Sequence, residues 1–102
     1  MAFDRYDTIA LGQEGSAFLD TAATTFTPAA PFKIIAITMI TDCKFSALVA
    51  SDTAKFIGTS GAGKGGDTFN AADTIPAGVT IYGSWDSASV STNGEQCICY
   101  IG

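Results

Sequence analysis

Asn93-Gly94 is the feature that most constrains how this chain can fold. The pair lies between two alternating runs, Ala88 to Thr92 and Glu95 to Tyr100. Both residues reach positive φ cheaply, so a two-residue type I′ hairpin is expected there. In that register Thr92 faces Glu95, Val90 faces Cys97 and Ala88 faces Cys99, while Ser91, Ser89 and Ser87 oppose Gln96, Ile98 and Tyr100. Strand side chains alternate between faces, which makes Val90, Cys97, Ala88 and Cys99 the expected core set. Ile98 and Tyr100 then stand on the outer face among serines. An apolar pair in that position points to contact with another surface, such as a second subunit.

At 102 residues and 10.5 kDa the chain has room for one core. Apolar residues make up 47% and charged residues 15%, a globular composition with little charge, as expected where partners bury part of the surface. The net charge is −5, and Arg5, Lys33, Lys44, Lys55 and Lys64 are scattered singly. Phosphate neutralisation needs clustered cations, so nucleic acid is not an expected partner. The N-terminus has no sustained apolar run of the secretory kind, and Ile34 to Ile40 is far shorter than a membrane span. A soluble protein made in a cytosol, with no membrane partner, is the expectation. Cys43, Cys97 and Cys99 are expected as small buried thiols, with a bridge from Cys43 to one of the others across a core as the alternative; Cys97 and Cys99 are too far apart along one strand face to bridge each other, and without histidine a zinc set is not expected.

Residues 1–31 read as an irregular N-terminal arm or edge region, ahead of a β domain over residues 32–102. Short extended pieces are expected at Thr8 to Leu11, Ala17 to Leu19 and Thr24 to Thr27, with a helical turn over Ser16 to Ala23 as the alternative. Phe3, Tyr6, Phe18 and Phe26 are large apolar groups in this arm and need something to pack against. Phe32 to Thr41 is the strongest strand, with Ile35, Ile37 and Met39 on one face and Ile34, Ala36 and Ile40 on the other. Cys43 to Ala50 follows, with Cys43, Phe45, Ala47 and Val49 on one side; Lys55 to Ile57 is expected as a short strand. Gly58 to Gly66 reads as a flexible loop. Pro76-Ala77-Gly78 leads into a strand in which Val79, Ile81 and Trp85 share a face opposite Thr80, Tyr82 and Ser84. Six or more short strands and no clear helix predict an all-β antiparallel sandwich or jelly-roll-like domain.

The run Gly58-Thr59-Ser60-Gly61-Ala62-Gly63-Lys64-Gly65 has the spacing of a phosphate-binding loop. Gly65 stands where a hydroxyl should hold magnesium, and no helix is expected after it, so a mobile loop tip is the preferred interpretation and no cofactor is expected. Without histidine a Ser or Cys nucleophile lacks its usual base. Asp42, Asp52, Asp67, Asp73 and Asp86 all fall at expected turns, where Asp commonly closes loops, so no catalytic residue is assigned. Trp85 and Tyr82 would make a stacking platform if both were exposed; the expectation is one in the core and one at an interface.

The segments IIAITMITDCKFSALVAS and DTIPAGVTIYGSWDSASVSTNGEQCICYIG resemble small virion proteins of tailed bacteriophages, notably capsid decoration (cement) proteins. The shared pattern is an Ile-rich strand (Ile34 to Ile40), a Phe-Ser-x-Leu strand (Phe45 to Leu48), a Gly/Thr loop (Gly58 to Gly66), then Ile75 to Trp85, and a last strand Ile98 to Tyr100. Residues 1–32 carry little of it, and Cys97 and Cys99 are not part of it. The resemblance implies a noncatalytic protein of the outer capsid surface, made in the host cytoplasm. Such a protein caps symmetry axes, often as a trimer, and holds the major capsid protein against internal pressure. In that setting Phe3, Tyr6, Phe18, Phe26, Tyr82, Ile98 and Tyr100 are the expected subunit or capsid contacts. The alternative is a receptor- or glycan-binding sandwich of a phage tail or fibre, with Trp85 and Tyr82 as its platform.

Overall fold

The structure is a computed structural model that describes residues 14–102. Its strands are β1 (Ser16–Leu19), β2 (Ile34–Met39), β3 (Phe45–Ala50), β4 (Thr80–Val90) and β5 (Cys97–Ile101). They form one five-stranded sheet in the order β1-β5-β2-β4-β3, with every neighbouring pair antiparallel. The described residues contain no helix, so the all-β antiparallel expectation holds. Phe3, Tyr6 and the piece expected at Thr8 to Leu11 lie outside the described residues. Ser16 to Leu19 is a strand and not a helical turn: Leu19 reaches the core while Phe18 points away, the period of two that an edge strand on β5 requires.

The hairpin does not form. β2 lies between β4 and β5, so Val90 does not face Cys97 and Ala88 does not face Cys99. A turn does occur at Thr92–Glu95, closed by the Glu95 N–H to the Thr92 carbonyl at 3.2 Å. Gly94 has φ +94°, but no non-glycine residue among the described residues has positive φ, Asn93 included. Negative then positive φ is the type II pattern, whose twist splays the flanking strands where type I′ would pair them. Distant partners hold this geometry: the Asn93 side-chain oxygen accepts from the Ala22 N–H at 2.8 Å, and the Gly94 N–H donates to the Asp20 carbonyl at 2.9 Å. Val90, Ala88, Cys97 and Cys99 are nevertheless all buried, as expected.

The long strand β4 organises the packing. Its 11 residues would extend about 36 Å if straight. Yet its start pairs with the end of β2 (Thr80 beside Thr38), and its end pairs with Phe45, only a short connection further along the chain. The strand is therefore bent, its first half on β2 and its second on β3, with Phe26 bridging Ala88 at the far edge. The bend encloses Trp85, Phe45, Leu48, Ala88 and Val90 against Leu19, Ile34, Ile37, Met39, Cys97 and Cys99. Gly83 is needed there, because a Cβ would lie 2.8 Å from the Trp85 ring.

Bulges move residues away from their expected faces. A register shift between Ile34 and Ala36 puts Ile34 in the core with Ile37 and Met39, leaving Ile35 half-buried. Another between Phe45 and Ala47 makes Leu48 and Ala50, not Ala47 and Val49, follow Cys43 and Phe45 inward.

The glycine-rich segment is pinned rather than free. Lys55–Ile57 is not a strand: Lys55 and Phe56 N–H groups close a turn on the Asp52 carbonyl, and Ile57 bridges Ala62. Thr59 N–H donates to the Leu48 carbonyl at 2.8 Å, Gly63 N–H to the Thr53 carbonyl at 3.0 Å, and Gly58 N–H to the Gly61 carbonyl at 3.2 Å. The N–H groups of Gly58, Thr59 and Gly63 are thus committed to carbonyl partners. Asp42, Asp52 and Asp73 do accept turn N–H groups, from Ala77, Ala54 and Asn70. Asp86 does not; it lies within β4, paired with Lys33 at 2.6 Å.

Candidate interaction face

The register of β1, β5, β2 and β4 sets eight outward side chains in two cross-strand rows. One row runs Phe18, Ile98, Thr38, Thr80; the other runs Ser16, Tyr100, Ala36, Tyr82. The intervening positions, Leu19, Cys97, Met39, Cys99 and Ile37, are buried in the core, so the assignment of faces follows directly from the pleat. None of the eight carries a charge. Tyr82 is 74% exposed and Phe18 53%, the two most exposed large apolar groups among the described residues. Ile98, Tyr100, Thr38 and Thr80 are half-exposed beside them.

The side-chain polar atoms in the first row partner each other. Thr38 and Thr80 hydroxyls bond each other at 2.9 Å, which uses one of their two O–H donors. Ala36 is nearly buried yet stands apart from the core cluster; it is the low point between Tyr100 and Tyr82. Just beyond the second row Lys33 and Asp86 neutralise each other, and backbone bonds between Lys33 and Gly102 close that end of the sheet.

Of the residues expected from sequence, Phe18, Tyr82, Ile98 and Tyr100 come together on this face. Phe26 does not join them, packing instead against the core beside Ala88. Trp85 is entirely buried, and its indole N–H donates to the Ile57 carbonyl at 2.7 Å, so no Trp85–Tyr82 platform exists. Ser16, Ala36, Thr38 and Thr80 are members that sequence reasoning missed. The alternation of β2 carried a signal for Ala36 and Thr38, but only strand order reveals which large residues they sit between.

The three thiols are free and buried. The single S–H of Cys43 is shared between the Thr41 and Gln96 carbonyls, each 3.2 Å from its sulfur, and burial pushes its thiol up from the ordinary range. Cys97 is pushed up by its contact with the Cys99 thiol and then by burial. Both effects favour neutral, unreactive sulfur. No three His, Cys, Asp or Glu side chains among the described residues are grouped as a metal site would need.

Comparison of the chain with protein-family models, with curated proteins and with solved structures finds no match in any of the three.

Proposed function

We propose that this chain is a noncatalytic structural protein of a phage virion, seated on the outer capsid surface, where it ties neighbouring capsomers together. The observation that carries this is the uncharged two-row face, with Phe18 and Tyr82 raised at opposite corners. An isolated protein gains nothing by leaving such a surface in water, whereas a subunit of an assembly uses it against a neighbour. That neighbour is another copy of the chain or the major capsid protein. The segments that resemble capsid decoration proteins coincide with the strands building the face and its support: Ile34 to Ile40 with β2, Phe45 to Leu48 with β3, the end of Ile75 to Trp85 with the start of β4, and Ile98 to Tyr100 with β5. A trimer about a symmetry axis, joined through surfaces of the chain other than this face, and synthesis in the host cytoplasm belong to the same proposal. Burial of Trp85 removes the platform on which a glycan-binding function would rest.

Co-sedimentation with capsid particles assembled from the same genome's major capsid protein tests the assignment. Saturable binding, lost in Tyr100→Ala with Ile98→Ser while the variant keeps its urea midpoint, is the expected result. Wild-type protein that never sediments with the particles overturns it.

A further inference from the structure

We infer that the first occupant of this face is a second copy of the same chain, packed sheet to sheet about a two-fold axis that runs parallel to the strands between β5 and β2. The inference rests on the face being a contact surface, as proposed above, and names its partner. The axis places β1 opposite the partner's β4 and β5 opposite the partner's β2, with each row facing itself. Phe18 then meets the copy's Thr80, Ile98 its Thr38, Tyr100 its Ala36 and Tyr82 its Ser16. Every large side chain meets a small one, in both directions, as an isologous interface requires.

The other in-plane two-fold, perpendicular to the strands, fails this test. It would set Ile98 against Tyr100 and Thr38 against Ala36, large on large and small on small on the two central strands, with complementary pairs left only at the edges, Phe18 on Ser16 and Tyr82 on Thr80. Charge leads to the same partner. A two-fold brings like surfaces together, so charges on the face would repel their own copies, and this face has none although the chain carries −5. An anionic membrane or nucleic acid is disfavoured by that same net charge. The bond between the Thr38 and Thr80 hydroxyls leaves a single O–H in the small half of the row for a covering surface to satisfy.

Size fixes how tight the pairing is. Four strands at about 4.8 Å spacing and a strand of five residues at about 3.3 Å each make a flat patch of roughly 300 Å² per copy. A standard stable interface buries about 800 Å² per side, so the pair is reversible, and a capsid that holds copies side by side would consolidate it.

Two measurements test this. Sedimentation equilibrium from micromolar to millimolar protein should show the mass rise from 10.5 kDa toward twice that value. Separately, Phe18→Cys protein mixed with Thr80→Cys protein should give covalent dimer with a short bismaleimide, whereas Phe18→Cys alone should not. Within one copy these positions lie three strands apart, roughly 14 Å, and the native cysteines are buried, so a cross-linked pair reports the contact between copies. Monomer at every concentration overturns the inference without needing any variant to fold. Preferential linkage of Phe18→Cys to Ser16→Cys overturns the axis. A dimer that ignores capsid particles leaves the pairing intact and removes the virion assignment; a monomer that binds particles does the reverse.

Discussion

Gly58→Ala separates a pinned loop from a mobile one by the sign of its effect. The backbone at Gly58 is not in the positive-φ region, so alanine is conformationally allowed and only space decides. A Cβ there would lie 2.4 Å from the Leu48 carbonyl oxygen and 3.1 Å from the Ala50 nitrogen, both backbone atoms that cannot rotate away. Ordinary contact begins at 3.4 Å, so the loop or β3 must move by about 1 Å. That movement disrupts the paired bonds between Thr59 N–H and Leu48 O at 2.8 Å and between Leu48 N–H and Thr59 Oγ1 at 3.0 Å. Two bonds at ~1 kcal/mol each, plus ~1–3 kcal/mol of overpacking, less ~0.4–1 kcal/mol from restricting the unfolded chain, leave a loss of about 2–5 kcal/mol. In a domain of this size the melting temperature should fall by on the order of 10 °C or more. Urea unfolding with an unchanged m-value reads the loss directly. Gly66→Ala is the control, since its nearest neighbour is 4.0 Å away and its φ is ordinary; it should be neutral or slightly stabilising. A Gly58→Ala protein as stable as wild type, or more so, would refute the pinned loop.

Trp85→Phe removes the indole donor from the Ile57 carbonyl and leaves a gap beneath the bend in β4. It should cost about 2–4 kcal/mol by urea unfolding, and a loss below ~1 kcal/mol would contradict the burial. Glu95→Ala strips acceptors from the N–H groups of Lys44 and Thr92 and from the Ser91 hydroxyl, for a loss of about 1–3 kcal/mol, with Glu95→Gln restoring part of it. The thiols predict a pH dependence. Cys43 and Cys97 are both raised in the folded state, so the unfolded chain gives up these protons first. Stability is then whole below the unfolded thiol value of about 8.5 and declines as pH climbs past it. The urea midpoint should drop between neutral pH and about pH 10, and Cys43→Ala with Cys97→Ala should drop less; equal declines would remove the thiols as the cause.

Local pattern reported burial well and strand partnership poorly, and the turn at Asn93-Gly94 explains why. Alternation alone placed Val90, Ala88, Cys97 and Cys99 inside, because the pleat is a property of each strand by itself. The turn itself is bonded to Ala22 and Asp20, some seventy residues away in sequence, partners that are invisible in the dipeptide. They hold a type II turn where local propensity favours type I′, and β2 occupies the space a hairpin partner would have taken. The bulges at Ile34/Ala36 and Phe45/Ala47 were equally invisible in local pattern. The first interrupts β2 against both β4 and β5 and the second interrupts β3 against β4, so the parity of β2 and β3 could be read correctly only over part of their length.

The interaction face divides along the same line. Ile98, Tyr100 and Tyr82 were legible because an apolar residue at an outward position is conspicuous within its own strand. Ser16, Ala36, Thr38 and Thr80 were not, because a small residue acquires meaning as a hollow only when large neighbours are known on either side. Ala36 becomes one by lying between Tyr100 of β5 and Tyr82 of β4, two strands that the sequence alone had not placed beside β2. Complementarity between copies is a property of the pattern of hollows and knobs together, so it entered with strand order and not before. It also explains why so bare a face needs no charge of its own: specificity comes from which residue is large and which is small at each of eight positions, and a single small-to-large change such as Thr38→Tyr should abolish pairing while leaving the monomer folded.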